Sequence, residues 1–280
     1  MTDNNLPDYE RPPVVETILG VQFDPLPGLT NAHLGLFWET LGEEWCHVAD
    51  VQTIDPQFER FSDSANWGDL GVQLKLTQDP ASRLQIRNRD NNRMIQVQNG
   101  RLHFNWLRQG EEPYPRYQSV LDGFLSAIRS FVDFLRQQEI GDFHPNQWEV
   151  TYINHIPQNT VWNAPTDWRF FLPLSQSPDL CIPLESFGGE WHYVIPPERG
   201  RLHVQWRHGR RKTPAPPGIV VVLTLTSRGP LNTEGFDIDV IREGLGLGRK
   251  VIVRAFRELM SDDANSYWGL KHDCRGTCTD

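Results

Sequence analysis

Alternation of apolar and polar residues is the feature that most limits what this chain can fold into. GRLHFNW at residues 100–106 and GRLHVQW at 200–206 agree at five of seven positions. In an extended strand Leu102, Phe104 and Trp106 point one way, as do Leu202, Val204 and Trp206. Arg101, His103 and Asn105, and Arg201, His203 and Gln205, point the other way. The same period of two runs through FERFSD, GVQLKLTQ, SRLQIRNR and RMIQVQ between about residues 57 and 107. Such segments read as antiparallel sheet with unlike faces. Asn91-Asn92 marks a tight turn between two of them.

Segments of helical period interrupt the strands. VVETILGVQF is a strand ended by Pro25, Pro27 and Gly28. Thr30 or Asn31 then caps a helix carrying Leu34, Phe37, Trp38, Leu41 and Trp45. Pro115 opens a longer helix, at the position where its missing N–H costs nothing, and Gly141 lies just past its end. Its apolar stripe is Tyr117, Val120, Leu121, Phe124, Ile128, Phe131 and Leu135. QWEVTYINHI, FGGEWHYVIP, GRLHVQW and GIVVVLTLTS are further strands. A last helix carries Val251, Ala255, Phe256, Leu259 and Met260. EGLGLGRKV ahead of it reads as a flexible linker, since its spacing fails the P-loop pattern.

The predicted fold is α+β: a curved antiparallel β-sheet with long helices packed on one face, in two pseudo-repeated halves. The boundaries are an N-terminal arm at 1–13, a first half at 14–140, a second half at 147–269 sharing the core, and a flexible tail at 270–280. Ten Trp and fourteen Phe supply a core without disulfides. The start of the chain lacks an apolar leader, no window is long enough to span a membrane, and four scattered cysteines fit a cytoplasmic protein. A net charge of −9 argues against a generic nucleic-acid coat, though not against a local basic patch.

RPPVVETILGVQF, YPRY, YINHI, and FDIDV followed by AFRELMSDDANSYWG together resemble a sporadically distributed family of uncharacterised bacterial proteins. That family shows an N-terminal PPVVE strand, a YIN[RH]I strand and a terminal helix ending in YWG. The resemblance runs from about Arg11 to Gly269. It implies no nameable activity. Its patchy distribution implies an accessory gene, of a defence, toxin–antitoxin or mobile-element kind. His155 stands where the family usually has Arg, and the tail KHDCRGTCTD inherits no role.

The Arg/His faces of the two quoted strands are the first candidate site. Arg101, His103, Asn105, Arg201, His203 and Gln205 suit phosphate or carboxylate groups. A solvated sheet face explains the same pattern more simply, but leaves the repeated Arg-x-His without a packing reason. Trp162 and Trp168, in a proline-rich stretch, are candidate partner anchors or pins for that loop. Asp237 and Asp239 in FDIDV share one face of a strand and are weak metal candidates, with helix capping the simpler role. His272, Cys274 and Cys278 lack zinc-knuckle spacing, and Tyr152 and Asn154 read as structural. No GxSxG, HExxH or dinucleotide fingerprint is present, and no cofactor is implied. The expectation is a non-catalytic protein that binds a protein partner. Nucleic-acid or nucleotide binding through the Arg/His face is the alternative, and a metal-dependent enzyme a weaker one.

Overall fold

The computed structural model describes residues 6–61, 82–167, 170–171, 185–211 and 218–271. Nine strands form one sheet: β1 (Val14–Phe23), β2 (His47–Gln52), β3 (Ser82–Arg87), β4 (Arg93–Gln98), β5 (Arg101–Leu107), β6 (Pro145–Pro157), β7 (Gly188–Ile195), β8 (Gly200–Arg211) and β9 (Gly218–Pro230). The helices are α1 (Asn31–Thr40), α2 (Tyr117–Gln137), α3 (Ile238–Leu259) and α4 (Asp262–Tyr267). The spatial order is β2-β3-β4-β5-β1-β6-β9-β8-β7, and neighbours pair antiparallel throughout. The chain is therefore α+β on an antiparallel sheet, as its alternation required.

β1 and β6 lie side by side at the centre, although more than a hundred residues separate them. The reason is burial. Leu19 and Val21 of β1 and Trp148 and Val150 of β6 are all at or below 2% exposure. Leu19 sits opposite both Phe104 of β5 and Val150 of β6, so one apolar row crosses three strands. α2 approaches that row at Gly123, where a Cβ would come 2.4 Å from Phe104 Cζ. α3 approaches at Gly248, where a Cβ would come 2.6 Å from Trp148 Cζ3 and 2.9 Å from Val150 Cγ2. Buried residues from both parts of the sequence belong to one hydrophobic cluster.

Several local expectations hold and several need correcting. Thr30 flanks α1, and its backbone N–H donates to His33 Nδ1 at 3.2 Å. Trp45 lies past the helix end, where its carbonyl instead accepts from Trp38 Nε1 at 2.6 Å. Asn91 takes φ 55° in the turn between β3 and β4, and Asn88 Oδ1 accepts from Arg93 N–H there. α2 begins at Tyr117 rather than at Pro115, because Arg116 leaves the helical region with φ 73°. EGLGLGRKV is not a linker: it is the interior of α3, where Gly244 and Gly248 allow the helix onto Trp148. FERF has no regular structure, and β2, an exposed edge strand, carried no readable signal. GVQLKLTQ, Trp168 and the His272/Cys274/Cys278 cluster lie outside the described residues.

The N-terminal arm is integral to the fold. Glu10 and Arg11 donate backbone hydrogen bonds to the carbonyls of Gly269 and Trp268, and Lys271 N–H donates to Asp8 O at 2.8 Å. Among the described residues no helix is long and apolar enough to cross a membrane.

Candidate functional site: a charged row beneath a strap

Strand register assembles the candidate site. Because paired residues in an antiparallel sheet share a face, the pairings place Gln85, Gln96, His103, Gly20, Glu149, Arg228 and Arg201 in one row across seven strands. His103 alternates with Leu102 and Phe104, so this row lies on the side of the sheet turned away from α2. Gly20 is the gap in the row. A Cβ there would come 2.1 Å from His103 Cδ2, so the imidazole rests directly over the glycine backbone.

The row is buried, which corrects the expectation of an exposed positive surface and equally that of a solvated face. Arg101 is 4% exposed, His103 4%, Asn105 0% and Arg201 6%. Part of the cover is the segment 53–61, which follows β2 and crosses this face as a strap. Two carboxamides hold it as a sheet neighbour would. Gln98 accepts from Ile54 N–H at 2.9 Å and donates to Ile54 O at 2.8 Å. Gln22 likewise accepts from Gln57 N–H and donates to Gln57 O. Each side chain satisfies both backbone polar groups of one strap residue, which ties an irregular segment to the sheet.

The strap also delivers a carboxylate. Glu59 binds Arg201, accepts from Arg228 Nε at 2.9 Å, and lies 2.7 Å from His203 Nε2. On the sheet itself Glu149 accepts from Arg228 Nη1 at 3.0 Å and lies 3.5 Å from Arg101 Nη1. Arg228 thus bridges the two carboxylates. Burial opposes the Glu59 charge, but His203, Arg228 and Arg201 outweigh it and bring its carboxyl down to about 2. Glu149 is likewise lowered: burial works against its charge, and His103, Arg228 and Arg101 overcome it. Burial acts the other way on His103 and brings it down to about 4, so its ring is neutral at pH 7.

The two Arg-x-His strands therefore converge on one network from unequal positions. β5 adjoins central β1, whereas β8 lies two strands out from β6. Arg101, His103, Asn105, Arg201 and His203 come together, His203 half-buried; Gln205 faces the same way but is exposed, bonded to Glu190 at 3.0 Å. Glu59, Glu149, Arg228, Gln22 and Gln98 were missed by sequence reading. Glu149 had left a signal, as the one carboxylate of β6, between Trp148 and Val150; Glu59 had left none.

The other candidates are placed elsewhere. Trp162 is fully buried with its indole N–H on Ile156 O at 3.0 Å, so it pins its loop and cannot anchor a partner. Asp237 and Asp239 do not share a strand face. Asp237 caps α3, accepting from the N–H groups of Asp239 and Val240, and Asp239 pairs with Arg242. Tyr152 and Asn154 are buried, bonded to Tyr114 and to Leu223 O.

Farther along the same face lies a cleft of about 900 Å³. Arg11, Arg87, Arg108, Arg207 and Arg211 line it, and Glu16 is the sole carboxylate among its lining residues. Burial raises Glu16 from its ordinary value, with the Asn105 hydrogen bond and the charge of Arg87 working against the rise. His155 also lines the cleft and is lowered by burial and by Arg211. Tyr267 stands at the cleft wall, 49% exposed.

Fold and site together define an α+β sheet protein with a strapped, charged polar face. No protein-family model, curated protein or solved structure matches the chain.

Proposed function

We propose that this protein is a non-catalytic binder of a phosphate-bearing ligand of nucleotide size, held on the polar sheet face. The carrying observation is the five-arginine cleft on a chain of net charge −9. Clustered guanidinium groups in a concave wall focus potential on an anion and match its oxygens in pairs. A volume of about 900 Å³ suits a ligand of that class, and Tyr267 offers a face for a base to stack on. Fluorescence polarisation with labelled mononucleotides and short single strands tests this. Binding weakens steeply with salt, and falls about tenfold or more in Arg207→Ala and Arg211→Ala. Arg136→Ala, at an exposed position of α2, leaves it unchanged. Absence of binding, or equal loss in all three variants, overturns the reading.

A second reading, a protein partner, is favoured by β7. This edge strand exposes Tyr193 and Val194 beside an apolar groove against α3. Such a partner survives the arginine substitutions and is lost on Tyr193→Glu. The resemblance to sporadically distributed bacterial proteins supports an accessory role in the cytoplasm, in a defence, toxin–antitoxin or mobile-element setting.

The two halves are pseudo-repeats with both long helices on one face. In support, β1 and β6 each open a half at the sheet centre. In each half the chain then passes to the sheet edge and returns strand by strand, β2 to β5 beside β1 and β7 to β9 beside β6, and the closing helices α2 and α3 meet the aligned Phe104 and Val150.

A further inference from the structure

Beside the strap the polar face holds a second space, a cavity of about 380 Å³. That is at the small end of the range for metabolite sites, roughly 300–1,000 Å³. Four arginines line it, Arg83, Arg87, Arg101 and Arg228, against two carboxylates, Glu16 and Glu149. Glu149 is already shared by Arg101 and Arg228. Among the described residues neither Arg83 nor Arg87 has a carboxylate within 4 Å, and Arg83 is bonded only to neutral oxygens, on Gln96 and Gln52. Cationic charge thus exceeds anionic charge in a partly desolvated space, an arrangement that is costly unless an anion completes it.

The polar lining is fixed rather than fluid. Gln96 Nε2 donates to Asn105 Oδ1 at 2.9 Å, and Asn105 Nδ2 donates to Glu16 Oε1 at 2.6 Å. Within this lining His103 Nε2 is buried and, among the described residues, makes no hydrogen bond, with Glu149 Oε1 lying 3.6 Å away. Buried polar atoms in native proteins almost always find a partner. A neutral imidazole can supply one N–H donor to a ligand, and Arg83 and Arg87 can supply the charge.

We propose that this cavity is a binding site for a small oxyanion, a phosphate or carboxylate group, held by Arg83 and Arg87 with His103 Nε2 as a further hydrogen-bond donor. The site rests on different arginines from the nucleotide reading, apart from Arg87, which lines both spaces.

Titration calorimetry of the full chain with inorganic phosphate, sulfate and a small dicarboxylate tests it, in low-chloride buffer. Saturable binding at one site is expected from at least one of the three, and the preferred one separates a phosphate from a carboxylate ligand. Arg83→Gln weakens that binding about tenfold or more, whereas Arg211→Gln, confined to the outer cleft, leaves it unchanged. The His103 imidazole nitrogen signal in NMR shifts on saturation, a response that a purely structural histidine does not give. Should Arg83→Gln fail to fold, Arg87→Gln and the wild-type NMR titration decide the matter. Absence of saturable binding by all three anions overturns the site. So does an unmoved His103 signal, or equal weakening by Arg211→Gln. Failure of nucleotide binding in the outer cleft bears on neither result.

Discussion

His103 shows how one side chain becomes sensitive to its surroundings. Its ring lies over Gly20, so burial is built into the backbone beneath it. Burial first, and then Arg101, Arg83 and Arg228, disfavour its protonation, while Glu149 opposes them without prevailing. The folded protein holds His103 near 4, and an unfolded chain protonates it near its ordinary 6.5. Between those values the unfolded state binds the extra proton, so stability rises with pH across that window. The stabilisation is complete above about pH 6.5 and declines by about 3 kcal/mol as pH falls to 4. Glu59 follows at lower pH: its contribution is present above about 4.5 and is lost as pH falls toward about 2. Urea unfolding at a series of pH values checks both. His103→Gln flattens the upper part of the acid limb, and Glu59→Gln the lower part.

At the scale of elements, α3 illustrates how the same residue type serves opposite purposes. Gly244 and Gly248, four apart, face Trp148, and a Cβ at either would come within 2.5–2.6 Å of its ring. Gly246, between them, has nothing within 4 Å of an added Cβ. Gly246→Ala is therefore expected to stabilise the protein by about 0.5–1 kcal/mol, through helix propensity and a less free unfolded chain. Gly244→Ala and Gly248→Ala gain the same propensity but collide with a fully buried indole, for a net loss of about 1–3 kcal/mol. Chemical denaturation of the three variants checks the sign reversal. The linker reading of EGLGLGRKV failed here, because propensity counts glycines without knowing which face meets a tryptophan. The strap is the complementary case. Residues 53–61 form no regular structure, and Gln22, Gln98 and the pairing of Glu59 with Arg201 and Arg228 give them a fixed course.

On the scale of the whole molecule, residues 8–11 are joined to residues 256–271. Tyr9 packs edge-on against Phe256 with centroids 5.4 Å apart, and its hydroxyl donates to buried Asn265 at 2.5 Å. Removing residues 1–11 deletes this ring and leaves the carbonyls of Trp268 and Gly269 without their backbone donors. The expected cost is about 3–5 kcal/mol for the lost aromatic alone. It is checked by thermal unfolding and by proteolysis, which then cuts first around α4.

The alternation of residues by itself determined β3, β4, β5 and β8, the antiparallel sheet and the inward Leu102, Phe104 and Trp106, because a period of two can bury only one face. It also put Arg101 and His103 with Arg201 and His203 on corresponding sides of their strands. Only the tertiary structure decided that these side chains are buried rather than solvated, since burial depends on what crosses the face. It alone brought Glu149 within reach of Arg101 and Arg228 by strand order. It alone laid Glu59 across Arg201, for burial, register and long-range charge pairing are properties of packed strands and not of any one segment.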